Sequence, residues 1–271
     1  MIKSIMVPLD NTENSERRIS AAVTLAQKFE AHIMGVHILP TLEYVMQTVP
    51  YMPYSAEAYK DYHHIMKSKA MALWDNFESH MKHADILYDR YQEEGNILSF
   101  LKLYSRCTDL TIINQNTGGV LPLMGDMASF MLESGLPVIA IPEHATYPTM
   151  GARILVAWNN SAQCARAAHD ALPFLQQAEK VIVLSINEYD SEAVPTADIC
   201  LHLARHDVNV EAMQSDITDN PAEIIMLTAE NMNADLVVAG AWGHARVTEV
   251  VMGGVTKNLL SNQILPVFFS H

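Results

Sequence analysis

The sequence predicts an α/β protein built from two similar halves, each with an open five-stranded parallel sheet. Three observations lead to this fold class. The first half, residues 1–145, is repeated in order by residues 152–271. Apolar runs of strand length alternate with helical patterns of about 10–15 residues. The runs are almost entirely apolar, which is typical of strands covered by helices on both faces of a sheet.

The elements of the second half follow in a regular order. Strands are predicted at ARILVAWN, KVIVLSIN, VNVEAMQS, ADLVVAG and LPVFFS. The intervening helices are predicted at SAQCARAAHDALPFL, with Ser161 as N-cap, at TADICLHLARHD, and at NPAEIIMLTAEN, with Pro221 in its first turn. A last helix is expected from about Val255. In open sheets of this kind, ligands bind at the carboxyl ends of the strands, where the strand order reverses.

The two halves begin and end alike. KSIMVPLDNT at 3–12 matches ARILVAWNNS at 152–161, and ESGLPVIAIP at 133–142 matches SNQILPVFFS at 261–270. The closing strands, 136–141 and 265–270, are apolar edge candidates, and an exposed apolar edge has to be covered or paired.

The first half carries an insertion. The offset between matching residues falls from 149 to 126 positions along the chain, so about 23 residues are extra. They fall at about 40–66, a segment rich in Tyr, Met and Pro that we expect to form a long connection entering a helix at about Ala56. A short junction with Pro and Gly places the domain boundary near 148, which gives domains 1–147 and 148–271.

Composition argues against several classes of protein. Lys and Arg number 17 against 31 Asp and Glu, and the net charge of −14 repels nucleic acid and anionic membranes. No apolar run approaches the roughly 18–20 residues of a membrane-spanning helix, and no secretory signal is evident, so the cytoplasm is the expected compartment. Three scattered cysteines, each expected to be a small buried residue, predict neither disulfides nor a zinc site: Cys107, Cys164 and Cys200.

Glycines cluster near the end of the chain in AGAWGHARVTEVVMGGVTKNLL, residues 239–260. Gly240 ends a predicted strand, Gly243 follows after two residues, and Gly253 and Gly254 directly precede a helical pattern. Glycines at a strand end let a ligand approach the backbone, and a helix N-terminus offers free N–H groups to an anion such as a polyphosphate. The same glycines could instead serve tight turns and close helix packing.

Around this motif the sequence resembles the universal stress proteins. Gly240, Gly243 and Gly253 match the Gly-x2-Gly-x9-Gly-Ser/Thr motif of the nucleotide-binding members, but Gly254 stands where the family has a hydroxyl residue. The opening pattern Val-Ala-x-Asp-Gly-Ser appears as Val-Ala-Trp-Asn-Asn-Ser, with Asn159 in place of Asp. The resemblance covers nearly all of both halves. It implies two Rossmann-like, adenine-nucleotide alpha-hydrolase-like domains of three α/β/α layers, paired through their closing strands.

This resemblance implies an adenine-nucleotide site in the second half, for ATP with Mg²⁺. Residue-by-residue transfer places Asn159 and Ile186 at the adenine and ribose end. The residues around the ribose and phosphates would be Gly240, Gly243, His244, Gly253, Gly254, Val255 and Thr256. Loss of the family's hydroxyl removes one hydrogen bond to a charged group, which costs roughly 1.5–3 kcal/mol, or about 10- to 100-fold in affinity.

The first half keeps the opening pattern at residues 8–12 but not the glycine motif. Asn114 and Thr117 stand where the first two glycines would be, and three residues are missing before Gly125 and Asp126. An aspartate at a helix start repels the anion that the helix dipole would attract. We therefore expect no triphosphate in this half, which would act as a structural partner.

Three functions remain open. The first is a nucleotide-binding regulatory module in stress adaptation, with slow hydrolysis or none, an unidentified protein partner, and a homodimer of the tandem chain left open. The alternative is a nucleotide-free scaffold that binds a partner or ligand through the insertion. The third is a weak ATPase, but no nucleophile–base set or Walker motif is present, so no catalytic residue is assigned.

A metal site is not expected. Asp198, His202 and His206 recur at helical spacing and could present ligands on one face of a helix. Such a pattern is more typical of a solvated polar stripe.

Overall fold

One mixed sheet of ten strands joins the two halves of the chain. The structure is a computed structural model that describes residues 1–41, 56–115, 124–143, 147–186, 195–216, 220–241, 254–262 and 264–271. Several residues singled out in the sequence lie outside this part, namely Thr117, Gly243, His244, Gly253 and segment 42–55 of the insertion.

The first half supplies five strands and four helices within the described residues. Its strands are β1 (Ser4–Leu9), β2 (His32–Pro40), β3 (Tyr88–Gly95), β4 (Leu110–Asn114) and β5 (Val138–Ile141). Its helices are α1 (Glu13–Phe29), α2 (Ala56–Ala84), α3 (Ile97–Ser105) and α4 (Met124–Ser134).

The second half supplies the remaining described elements. Its strands are β6 (Arg153–Trp158), β7 (Lys180–Ile186), β8 (Val210–Ser215), β9 (Leu236–Gly240) and β10 (Val267–Ser270). Its helices are α5 (Ala162–Asp170), α6 (Leu172–Leu175), α7 (Thr196–Ala204), α8 (Pro221–Asn231) and α9 (Gly254–Ser261). The Ser161 side chain accepts a hydrogen bond from the Cys164 N–H at 3.2 Å, so the predicted N-cap is confirmed.

The strand order confirms the predicted fold class. It runs β3-β2-β1-β4-β5-β10-β9-β6-β7-β8, and every neighbouring pair is parallel except β5 and β10. These two closing strands pair antiparallel, with Ile139 opposite Phe268. Because each half has the same order read outward from this joint, the chain is an intramolecular pseudo-dimer.

Helices cover both faces of the sheet and give three layers. One face packs against α1, α2, α5, α6 and α7, and the other packs against α3, α4, α8 and α9. Both cores cross the joint, because Ile139 and Phe268 belong to the first and Val138 and Phe269 to the second.

The helix predicted over SAQCARAAHDALPFL is divided in the structure. α5 ends at Asp170, and a separate turn, α6, contains Pro173 in its first positions. Proline has no N–H to donate and its ring clashes with the preceding turn, so a continuous helix is disfavoured there.

The helix that the insertion enters begins at Ala56, as the sequence predicts, and segment 42–55 of the expected long connection lies outside the described residues. This helix, α2, has 29 residues, whereas its counterpart α7 has 9. Most of the extra residues therefore lengthen a helix. A second difference concerns Cys107, which is exposed rather than buried, while Cys164 is buried and Cys200 is intermediate.

Candidate functional site

The carboxyl edge of the second half brings separate parts of the sequence together. β6 lies between β7 and β9, so the strand order reverses at its two sides. Asn159 directly follows β6, Ile186 ends β7, and Gly240 ends β9. α9 begins at Gly254, directly after the third glycine of the motif. These residues share the edge that the sequence predicted.

Gly240 is required by helix packing. A Cβ atom at this position would lie 2.6 Å from the Cys164 nitrogen and 2.7 Å from the Gln163 carbonyl carbon. Both atoms belong to the backbone of α5, so no side-chain rotation relieves the contact. Of the two interpretations of this glycine, close approach of a helix is the one that the geometry supports.

Asn159 holds the turn between β6 and α5. Its Oδ1 accepts a hydrogen bond from the Ser161 N–H at 3.2 Å, and Asn160 has a positive φ of 60°. The side chain is exposed at the edge of the sheet. Asn159 therefore orients the N-terminus of α5 through its Oδ1. Its side-chain Nδ2 takes no part in this bond and can serve as a donor.

The first turn of α9 has an open side and a buried side. No described atom lies within 4 Å of the place where a Cβ of Gly254 would be, and Val255 is exposed. Thr256 is buried and bonded, and Ile186 on β7 is half-buried against the core. A ligand could therefore reach the backbone at residues 254 and 255, but not the Thr256 hydroxyl without rearrangement.

Two asparagines near this turn were not predicted as site residues. Asn220 caps α8, since its Oδ1 accepts from the Ala222 N–H at 3.2 Å, and it also accepts from the Asn258 Nδ2 at 3.4 Å. The pair joins the start of α8 to α9 and lines a cleft of about 280 Å³ with Met226. An Asn before a Pro is a recognisable helix-cap signal in the sequence, so Asn220 could have been found. Asn258, 38 positions later, carries no such local signal.

The corresponding edge of the first half is occupied by a buried arginine. Arg18 on α1 donates from Nε to the Pro8 carbonyl at 2.8 Å and from Nη1 to the Asn114 Oδ1. Its Nη2 lies 3.0 Å from the Asp10 Oδ2. Burial lowers the pKa of the guanidinium, and the neighbouring Asp10 opposes that shift. Asn114 stands where the second half has Gly240, so Arg18 fills the space between α1 and β4.

A buried histidine lies next to this cluster. His37 donates from Nδ1 to the Leu9 carbonyl at 2.9 Å, and its Nε2 has no hydrogen-bond partner within the described part of the chain. Its ring meets the Trp74 ring edge to face at 6.5 Å. Burial lowers the pKa of His37, while the Leu9 carbonyl and Asp10 act in the opposite direction. The ring is therefore neutral near pH 7.

The polar stripe on α7 does not form a metal cluster. The described residues contain no group of three or more His, Cys, Asp or Glu that could hold an ion. The His202 and His206 rings lie 4.9 Å apart, and Asp198 is one turn earlier. In the same described part, none of the helices has the length and apolarity needed to cross a bilayer.

Solved structures share this architecture. A universal stress protein from Archaeoglobus fulgidus superposes with a TM-score of 0.76 at 18% identity, over 98% of this chain and 97% of that one. A protein of unknown function from Pseudomonas aeruginosa gives 0.62 at 13% identity, over 99% and 92%. A putative universal stress protein from the same species gives 0.60 at 12% identity, over 99% and 93%. At these identities the likeness concerns the fold. No curated protein matches the chain by sequence.

The sequence itself carries the family signature in both halves. The model of the universal stress protein family matches residues 1–95 and 150–270, which is most of the chain. The unmatched segment contains β4 and α4, where the first half has lost the glycine motif and Asn114 has joined the Arg18 cluster. Taken with the symmetric ten-stranded sheet, this double match means that the chain belongs to the universal stress protein family, as a tandem of two of its domains.

Proposed function

We propose that the second half binds an adenine nucleotide, ATP with Mg²⁺, and that the protein acts as a regulatory module with slow hydrolysis or none. The observation that carries the proposal is the start of α9 at Gly254, open to solvent and directly after the motif Gly-x2-Gly-x9-Gly. Free N–H groups and the positive end of the helix dipole favour phosphate there.

The edge of the sheet supplies the rest of the proposed site. Asn159 offers an amide nitrogen to the adenine end, and Ile186 offers a half-buried apolar surface for the base or ribose. Mg²⁺ would arrive with the phosphates and reduce their charge, which eases binding to a chain with a net charge of −14. No residue of the chain is assigned as its ligand.

The first half is proposed as a structural partner without nucleotide. Arg18 occupies the space between α1 and β4, where it donates hydrogen bonds to Pro8 and Asn114 and forms an ion pair with Asp10. Displacing the Arg18 side chain would leave a buried charge without its partner, which is strongly destabilising.

Calorimetric titration of the nucleotide-stripped protein with Mg–ATP tests the proposal. Gly243→Val introduces a branched side chain into the motif, and Gly125→Val is the matched control in the first half. We expect one site per chain, lost in Gly243→Val and retained in Gly125→Val. Absence of heat up to millimolar ATP, with an unchanged melting temperature, would exclude the proposed function.

A second candidate is a nucleotide-free scaffold that uses the insertion. Met71 and Ile65 are exposed apolar side chains on α2, which is longer than its described counterpart α7. A negative ATP titration would favour this candidate. The enlarged helix would then be the surface to test for a protein partner.

A further inference from the structure

We propose that the His271 side chain positions the first residue of the nucleotide loop, as part of a clamp formed by Ala241, Ser270, His271, Arg166 and Asp170. The proposal rests on the nucleotide site proposed above. It adds a positioning residue that lies outside the glycine motif and on a different segment of the chain.

Both backbone groups of Ala241 are held by the segment that ends with β10. The Ala241 N–H donates to the Ser270 carbonyl at 2.9 Å, and the Ala241 carbonyl accepts from the His271 Nδ1 at 2.8 Å. Because a carbonyl can only accept, Nδ1 must carry a hydrogen. Ala241 directly follows Gly240, so this pair of bonds fixes the point at which the loop leaves β9.

The same segment is tied to α5. Arg166 donates from Nη1 to the His271 carbonyl at 3.1 Å, and the Ser270 hydroxyl donates to the Asp170 Oδ2 at 2.6 Å. α5 follows the Asn159 turn and packs on Gly240. The clamp therefore fixes the two ends of the proposed site, the Asn159 turn and the start of the loop, relative to each other.

In the first half, the residue that follows β4 is held by different side-chain hydrogen bonds. Gln115 follows β4 as Ala241 follows β9, and its N–H donates to the Ile141 carbonyl at 2.8 Å, just as Ala241 donates to Ser270. The residue that corresponds to His271 is Pro142, which has no side-chain donor. The Gln115 side chain instead donates to the Leu265 carbonyl across the joint. The imidazole clamp thus belongs to the half for which nucleotide binding is proposed.

Two substitutions separate the hydrogen bond from the bulk of the side chain. His271→Ala removes the donor, whereas Asn in His271→Asn can place its Nδ2 near the position of the imidazole Nδ1. His83→Ala, at an exposed position on α2, is the matched control. The Arg166 bond to the backbone carbonyl of residue 271 is available in every variant.

Mg–ATP affinity is the first readout, and deuterium exchange of the peptide covering 236–241 without nucleotide is the second. We expect His271→Ala to weaken binding about fivefold to tenfold, the effect of one lost hydrogen bond to a positioned backbone group. The same variant should exchange faster at 236–241. His271→Asn should restore both quantities toward those of the unmodified protein.

The two readouts keep this inference distinct from the proposed function. If the unmodified protein binds Mg–ATP and His271→Ala binds it equally well, His271 does not position the loop. If the unmodified protein binds no nucleotide, the proposed function fails, and the clamp is then tested by deuterium exchange alone. Unchanged exchange at 236–241 in His271→Ala would then overturn it, and faster exchange that His271→Asn reverses would support it.

Discussion

Gly254 is the residue at which this chain departs most clearly from the nucleotide-binding pattern of its family. No described atom lies within 4 Å of its missing Cβ, so Gly254→Ser fits without a clash. A serine hydroxyl facing a phosphate should raise Mg–ATP affinity by about 10- to 100-fold, since a hydrogen bond to a charged group contributes roughly 1.5–3 kcal/mol. Calorimetric titration measures the gain. Gly254→Ala is the control, and an equal affinity for both variants would mean that the hydroxyl does not meet a phosphate.

Gly240 and Gly254 differ in what a side chain would meet. Gly240→Ala forces a Cβ to within 2.7 Å of two backbone atoms of α5, so we expect a loss of about 1–3 kcal/mol in the free energy of unfolding. Gly254→Ala meets open space at a helix start and should change this free energy by less than about 1 kcal/mol. Urea titrations of both variants provide the comparison. Equal losses would show that packing of α5 does not explain Gly240.

His37 makes stability depend on pH. Its folded-state pKa is lowered by burial, so the unfolded chain takes up a proton first as pH falls. Stability from this group is complete above the unfolded pKa of about 6.5 and declines below it, by at most about 1.4 kcal/mol per pH unit.

His37→Asn tests this dependence. It retains a donor for the Leu9 carbonyl without a titrating ring. As the pH is lowered from 7.5 to 5, the free energy of unfolding should fall less steeply in the variant than in the unmodified protein. Parallel slopes would assign the dependence to other groups.

At the scale of elements, α2 is held on the first half by aromatic packing. Phe77 is fully buried, and a Cβ at Gly35 on β2 would lie 2.8 Å from its ring. The Trp74 Nε1 donates to the Gln92 Oε1 on β3 at 2.8 Å. The enlarged helix is thus part of the core along one side and exposed along the other.

Phe77→Ala should lower the free energy of unfolding by about 3–5 kcal/mol, because it leaves a cavity between α2 and β2. Met71→Ala on the exposed side of the same helix should change it by less than about 0.5 kcal/mol. Denaturant titration checks both values. A small effect of Phe77→Ala would mean that α2 is not docked on the sheet as described.

Elements were predictable from the sequence where a local signal was sufficient. The Ser161 cap, the apolar strands and the start of α2 at Ala56 each depend on neighbouring residues. The length of α2 is not predictable in this way, because its apolar positions are explained only by the strand on which they pack. The break between α5 and α6 does have a local signal in Pro173, although the predicted helix runs through it.

At the scale of the whole molecule, the antiparallel pairing of β5 and β10 makes one sheet of two domains. Phe268 is fully buried at this joint, where its ring lies 5.8 Å from the Phe174 ring. Phe268→Ala should cost about 3–5 kcal/mol. Because both cores cross the joint, we expect the two halves to unfold together.

Two single-tryptophan proteins, one retaining Trp74 and the other Trp158, report on the two halves separately. Their urea transitions should coincide with and without Phe268→Ala, and both should move to lower urea in the variant. Leu201→Ala, at an exposed site, is the control. If Phe268→Ala shifted only the urea transition reported by Trp158, the two halves would not unfold together as one sheet.

The sequence alone determined the fold class, the tandem repeat and the positions of the glycines, because periodicity, caps and repeats are local or pairwise signals. The pairing of the closing strands was implied by the family resemblance, and the structure shows it as antiparallel. The tertiary structure decided what those residues do. It places Gly240 under α5, fills the first half's edge with Arg18, and brings His271 to Ala241. The Arg18–Asn114 and His271–Ala241 hydrogen bonds join residues 96 and 30 positions apart, and hydrogen bonds over such separations leave no periodic trace in the sequence. Only the folded sheet makes them neighbours.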